Sequence, residues 1–293
     1  MFVFYGFGIE FTSNINLAGL SREMCLPTLF ELIKVEVQVK IDSDTKLDST
    51  ANSMVDEGSA FIFNFYGEIE YTIFQNKIVA RSKSAELLLS TFYNIPISVI
   101  LILNNMLLLH ASAFHVGNKL YPICAEKGTG KSTFTAYAIS KGARLFCDDT
   151  LAITFVNDTI FAFRGANFVK LNEDAIEAVG LSNVDYDNRN IAGKIYCELP
   201  LANACYMPIE SIYFMSVGDI NIDGVKSPLL ARTMLLSNVV GVAWLGSMLK
   251  HRIVNSQIFT KASTGLDLYK FTTPRTWEAM EVSMNMMLDD EGR

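Results

Sequence analysis

The chain is predicted to be an α/β protein, and three observations carry that prediction. An apolar run, a glycine-bearing loop and a helix-forming run follow one another over residues 120–141. The first 93 residues are instead broken into short runs rich in β-branched and aromatic side chains. A further apolar run, 145–147, ends in two adjacent carboxylates, Asp148 and Asp149. With 293 residues, 50% of them hydrophobic and 19% charged, the chain can build a sizeable core as one large domain or two smaller ones.

Taken from the N-terminus, residues 2–12, 35–41, 60–65, 69–74 and 77–81 read as strands, with turns at Tyr66-Gly67 and Gln75-Asn76. Residues 41–59 are rich in Asp, Ser and Thr and read as a loop. Ser84 is placed to cap a helix over 85–93. Residues 96–109 continue as a buried helix ending around Asn104 and Asn105. A β-rich N-terminal domain, 1–95, and a second domain, 96–293, are therefore expected. After the helix at 96–109 the second domain continues with a strand at 110–116, a two-residue turn at Gly117-Asn118 and a returning strand at 119–124. A helix at 133–141 is stopped by Gly142 just past its end.

Beyond the acidic pair, 151–155 and 159–163 form a hairpin around Asn157-Asp158, and 172–179 a short helix. Residues 183–194 are polar, with Asp185, Asp187, Arg189 and Lys194, and read as a loop. Either it is merely solvated, or it is poorly ordered until it closes over substrate or phosphate. A strand follows at 211–217 and helix over 227–251. Thr273 and Pro274 are expected as N-cap and first residue of a last helix. On it Trp277, Met280, Met284 and Met287 recur at spacings of three and four and face the core.

The totals exclude several classes. A net charge of −7 leaves no basic footprint for nucleic acid. Five cysteines, odd in number and without a C-x-x-C pair, indicate neither zinc nor redox chemistry. They are expected as buried thiols of a reducing cytoplasm. Residues 1–11 are apolar but lack the basic start and cleavage site of a signal peptide. The longest apolar stretch, 95–109, is too short to span a bilayer and is broken by Pro96 and the asparagines. A cytoplasmic protein without a membrane partner is expected; a homo-oligomer is compatible with the sequence.

The loop itself reads Ala125-Glu126-Lys127-Gly128-Thr129-Gly130-Lys131-Ser132, with Thr133 next. It matches the phosphate-binding pattern G-x-x-x-x-G-K-[ST] except that Ala125 replaces the first glycine. Glu126 to Thr133 are the expected phosphate contacts. Gly128 and Gly130 let successive backbone N–H groups turn inward, and the helix N-terminus adds its unpaired donors. Lys131 reaches the terminal phosphates and is expected to face solvent, so that its loss removes charge and not core. The Ser132 hydroxyl would ligate Mg²⁺, and Lys127 points out of the loop. Asp148 stands one helix beyond Lys131, and neighbouring strand residues face opposite sides. One carboxylate could thus meet a metal ion and the other a nucleophile.

The stretch 110–153 resembles the HPr serine kinase/phosphorylase family and its smaller relatives, among them kinases that tailor ribosomal peptides such as lasso peptides. "LHASAF" sets His110 in the family's register with Lys131, "EKGTGKST" matches its phosphate loop, and "KGARLFCDDTLAI" its helix end and acidic strand end. "FRGANFVKL", "AGK" and "LPLANACYMPIESIYFM" resemble later segments of the smaller relatives. The resemblance implies a P-loop kinase core of the HPr kinase/phosphoenolpyruvate carboxykinase type. It implies ATP and Mg²⁺ as cofactors, and as acceptor a serine- or threonine-type hydroxyl on a peptide or protein, a ribosomally made peptide among them.

Asp149 would then be the general base and Asp148 the metal ligand, in either order. His110 would help place the terminal phosphate. Arg164, Arg189 and Lys194 are candidate substrate residues, and Arg164 and Lys194 could neutralise the moving phosphoryl group. His115 and His251 lack such a register. The family's Glu-x-Arg-Gly segment is incomplete, with Ala162 at the glutamate position before Arg164-Gly165, and its catalytic arginine loop is missing. HPr itself and the reverse reaction are not expected. A small-molecule alcohol or amino-acid kinase, and a nucleotide-binding protein without catalysis, are the alternatives.

Overall fold

The computed structural model describes residues 1–23, 30, 32–44, 53–56, 60–65, 67–181, 186–191, 194–240 and 252–289. The protein is mixed α/β with several sheets. Its N-terminal sheet holds seven described strands. These are β1 (Phe2–Gly6), β2 (Ile9–Ser13), β3 (Ile33–Ile41), β4 (Ser53–Asp56), β5 (Phe61–Phe65), β6 (Ile69–Phe74) and β7 (Lys77–Ser82). Their spatial order is β1-β2-β3-β7-β6-β5-β4. The single strand expected over 2–12 is two: Phe7 and Gly8 both take positive φ, 57° and 76°, and fold the run into an antiparallel hairpin. The loop expected over 41–59 contains β4, and Tyr66 lies outside the described residues.

Alternation gives the sheet a core face. Ile69, Tyr71 and Ile73 of β6 are fully buried, with partly exposed residues between them. Helices α1 (Ala85–Phe92) and α2 (Ile95–Leu103) lie against that face. Ser84 Oγ caps α1 by accepting from Leu87 N–H at 3.1 Å. The Tyr71 hydroxyl donates to the Leu88 carbonyl at 2.9 Å and ties the helix to β6. α2 is apolar all round and buried almost throughout, as such a composition demands. It ends at Asn104, and Asn105 follows with φ 61°.

The rest of the chain forms three further sheets. β8 (Leu107–Leu109), β9 (Ala111–Val116) and β10 (Lys119–Ala125) lead into α3 (Lys131–Ser140). There follow β11 (Arg144–Cys147), β12 (Leu151–Val156), β13 (Thr159–Phe163), β14 (Phe168–Leu171) and α4 (Glu173–Ala178). β15 (Tyr186–Ile191), β16 (Lys194–Glu198), β17 (Tyr206–Pro208), β18 (Ser211–Val217) and β19 (Asn221–Gly224) precede α5 (Pro228–Ser237). The chain closes with α6 (Arg252–Gly265), β20 (Asp267–Thr273) and α7 (Trp277–Asp289).

The central sheet runs β11-β9-β10-β18-β20-β19, with β10, β18 and β20 parallel. Both faces are covered, so its strands alternate between two apolar clusters. Tyr213 and Met215 of β18 pack with α3 and α7, while Ile212 and Phe214 pack with α5 and α6. Two smaller sheets, β17-β13-β12-β8 and β14-β16-β15, flank it. The core of the N-terminal sheet also takes in Ala152, Phe163, Phe168 and Tyr196 from this second half.

Four further expectations are corrected. Residues 183–194 are not a plain loop: β15 and β16 pair antiparallel across it. The last helix does not start at Thr273 and Pro274, because Thr273 still pairs with Val217 at the end of β20. Thr276 caps α7 instead, its Oγ1 accepting from Ala279 N–H at 3.3 Å. Of the expected stripe, Met280 and Met287 are buried, but Trp277 is 36% exposed. Cys124, Cys147 and Cys197 are free and buried, but Cys205 is disulfide-bonded. The reading of five thiols in a reducing compartment loses that support. Among the described residues no single helix is long and apolar enough to cross a membrane.

Candidate functional site

The glycine loop joins the C-terminal end of β10 to the start of α3. Gly128 and Gly130 have φ of 85° and 112°, a left-handed backbone that side chains rarely tolerate. At Gly128 a Cβ would meet nothing, so the need there is conformational and not steric. Gly130 serves as N-cap without a side-chain hydrogen bond, which leaves the first N–H groups of α3 without a capping side chain. Such an end attracts anions. Arg275 Nη2 donates to the Gly128 carbonyl at 2.9 Å and ties the loop to the segment before α7. Lys127 is exposed, as expected.

Lys131 does not face solvent. It is 6% exposed, and its side chain turns back toward the end of β11. There Nζ lies 3.3 Å from His110 Nε2 and 3.8 Å from Asp149 Oδ1. The carboxylate supplies the reason: an ammonium at the start of α3 is better held by the half-buried acid Asp149 than by the helix end, which repels it.

Asp148 and Asp149 do diverge, but not by strand alternation. β11 stops at Cys147, and Asp149 takes φ 64°, which turns it away from its neighbour. Asp148 Oδ1 accepts from Ser132 Oγ at 2.8 Å and from Ser112 Oγ, and Oδ2 accepts from the Lys170 backbone N–H at 3.2 Å. Asp149 Oδ2 accepts from Lys170 Nζ at 2.7 Å, while Oδ1 lies 3.7 Å from His110 Nε2. Lys170 also reaches Asn94 Oδ1, at 3.4 Å.

Burial resists ionisation of Asp149, but the nearby His110 imidazole and the charges of Lys170 and Lys131 outweigh it. Its carboxyl is held well below the usual carboxylate range. Burial likewise resists the charge on Lys170, and Asp149 outweighs it and raises the ammonium above its ordinary value.

These groups open onto a cleft of about 780 Å³. Of the residues singled out in the sequence, His110, Glu126, Lys127, Gly128, Gly130, Lys131, Ser132, Thr133 and Asp149 line it. Asp148 stands behind Ser132, and Thr129 lines a neighbouring hollow. Arg164 is elsewhere: it is buried and its guanidinium donates to the Ala202 carbonyl at 2.6 Å. Burial lowers its pKa. A guanidinium held by backbone in this way is not available to a moving phosphoryl group. Arg189 lies on β15 and Lys194 on β16; their side chains are outside the described residues, as is His251.

Ser112, Lys170, Asn94 and Arg275 escaped the sequence reading. Ser112 and Lys170 sit inside segments that were singled out, "LHASAF" and "FRGANFVKL". A serine or lysine inside an apolar strand is the signal that could have found them. Asn94 and Arg275 carried no such mark.

Among the described residues no cluster of three His, Cys, Asp or Glu is poised for a metal. The pair Ser132 and Asp148 nevertheless fits Mg²⁺. That ion takes hard oxygen donors, and commonly only one or two come from protein, with phosphate and water completing the shell.

No protein-family profile matches the chain. No curated protein sequence matches it either. Among solved structures it is similar to the HPr(Ser) kinase/phosphatase from Coxiella burnetii, at 12% identity and a TM-score of 0.34. The match covers 63% of this chain and 99% of that one. A likeness of this degree carries nothing about activity, and the chemistry is read from the cleft itself.

Proposed function

We propose that the protein is a phosphotransferase that moves the terminal phosphoryl group of Mg-ATP to a serine- or threonine-type hydroxyl of a peptide or protein. The observation that carries this reading is the convergence of Lys131, His110 and Lys170 on one carboxylate, Asp149, at the end of a glycine loop. Mere nucleotide binding needs the loop but not a cation-held acid beside it. The peptide acceptor rests on the resemblance at residues 110–153.

The loop N–H groups and the start of α3 would hold the phosphates. Ser132 and Asp148 would hold Mg²⁺, which when bound neutralises charge on the phosphate oxygens. Without ligand, Asp149 is a poor base, because two ammonium groups stabilise its ionised form. A triphosphate offers those lysines better partners. As Lys131 turns to the phosphate oxygens, the carboxylate regains basicity where a hydroxyl must lose its proton. The acceptor oxygen forms its bond to the terminal phosphorus, the bond to the bridging oxygen breaks, ADP leaves, and the proton passes to Asp149.

Single-turnover transfer of labelled phosphate from Mg-ATP to hydroxyl-bearing peptides tests this. Asp149→Asn is expected to keep Mg-ATP binding and to slow transfer by about 10² to 10⁴. Full transfer in that variant, or none from the unaltered protein to any hydroxyl, would sink the reading.

A further inference from the structure

On the far side of the glycine loop from Asp149 lies a second hollow, of about 220 Å³. Gly128, Gly130, Thr133 and Asn172 line both it and the main cleft, so the loop borders the two. Its chemistry differs. Where the cleft holds lysines, histidine and carboxylate, the hollow is walled by Trp277, Met280, Met215, Pro274 and Ala175, with Asp174 among its lining.

Two features set this hollow apart from an ordinary surface dent. Trp277 is 36% exposed although it begins a helix whose inward residues Met280 and Met287 are buried. Trp277 lines the hollow. The wall is also fastened to the loop: Arg275, two residues before Trp277, donates to the Gly128 carbonyl at 2.9 Å. The position of Trp277 and that of the phosphate-binding backbone are thereby coupled.

We infer that this hollow is the nucleoside subsite, in which the base stacks on Trp277 and the ribose hydroxyls meet Asp174. The inference rests on the proposed function, since it takes the glycine loop as the seat of the phosphates. A triphosphate whose terminal group lies by Asp149 and Lys131 crosses the loop, and its nucleoside end emerges beside Thr133 on the other side. A flat, apolar, π-faced ring needs an aromatic platform and soft thioether walls. The Asp174 carboxylate, in the lining of the hollow, is an acceptor suited to ribose hydroxyls.

Calorimetry with Mg-ATP and Mg-tripolyphosphate tests the assignment in the full chain. The unaltered protein is expected to bind both, ATP about 10- to 100-fold more tightly. Trp277→Ala is expected to erase that advantage while tripolyphosphate binds as before, which also shows that the variant is folded. Trp277→Phe is expected to keep most of the advantage. An unchanged ATP preference in Trp277→Ala would overturn the subsite, as would equal affinity of the unaltered protein for the two ligands; either result leaves the phosphate seat standing. Binding of neither ligand would overturn the proposed function together with the subsite.

Discussion

Asp149 and Asp148 are neighbours in sequence but are satisfied by different chemistry. Asp149 is held by ammonium groups and an imidazole, Asp148 by two hydroxyls and a backbone N–H. Substitution at Lys170 therefore reads on Asp149. In Lys170→Met the closest cation is gone, and the Asp149 carboxyl is expected to move up toward the ordinary range near 4. Carboxyl NMR titration would show it; an unmoved carboxyl would mean that His110 and Lys131 suffice alone. Asp148→Asn has another consequence. The amide can offer only one acceptor oxygen where the acid offers two, and it turns N–H groups toward a donor. A stability loss of about 1–3 kcal/mol is expected from that mismatch, with weaker Mg-dependent nucleotide binding that high Mg²⁺ partly restores. Thermal melts and Mg²⁺ titrations separate the two effects.

At the scale of elements, the ends of helices decide how the loop is presented. α7 starts three residues later than its sequence suggests, because Thr273 completes β20 and Thr276 takes the cap. Thr276→Ala is expected to cost about 1 kcal/mol. Thr273→Val is expected to act differently, by depriving the buried Ser283 hydroxyl of its acceptor at 3.0 Å. Denaturant melts of both variants would show whether the cap sits where the structure has it. Gly142 ends α3 with φ 102° and open space around a notional Cβ. Gly142→Ala is thus expected to cost only backbone strain, about 1–2 kcal/mol. A larger loss would mean that the end of α3 is packed more closely than its surroundings indicate.

For the whole molecule, the cleft couples charge to folding. Asp149 has a lowered carboxyl, so its contribution to stability is fully present above its unfolded value, about 3.9, and is lost as pH falls below that toward the folded value. Lys170 has a raised ammonium, so its contribution is fully present below about 10.4 and is lost as pH rises through the folded value. Stability from the pair is expected to be level between about pH 4 and pH 10 and to fall outside that window. Lys170→Met should soften both edges of the profile, as read by melting temperature against pH. An unchanged acid edge would mean that Asp149 is not coupled to folding through Lys170.

Local chemistry was enough for much of this protein. The Asn157-Asp158 turn, with φ of 48° and 63°, follows from residues that tolerate a left-handed backbone. The Ser84 cap, the two asparagines that end α2 and the Gly142 stop are equally local, since each acts within one turn of chain. The glycine loop and the acids after β11 were legible because phosphate binding imposes a fixed order of residue types. Tertiary structure alone decided which way Lys131 turns, because its partner is a carboxylate brought in by another strand. It alone assigned Lys170 and Asn94 to the cleft and withdrew Arg164 into backbone contacts, because those outcomes depend on which strands become neighbours. The polar run at 183–194 shows the same limit: β15 and β16 pair with each other and extend a sheet begun by β14, and no periodicity within the run announces that partner.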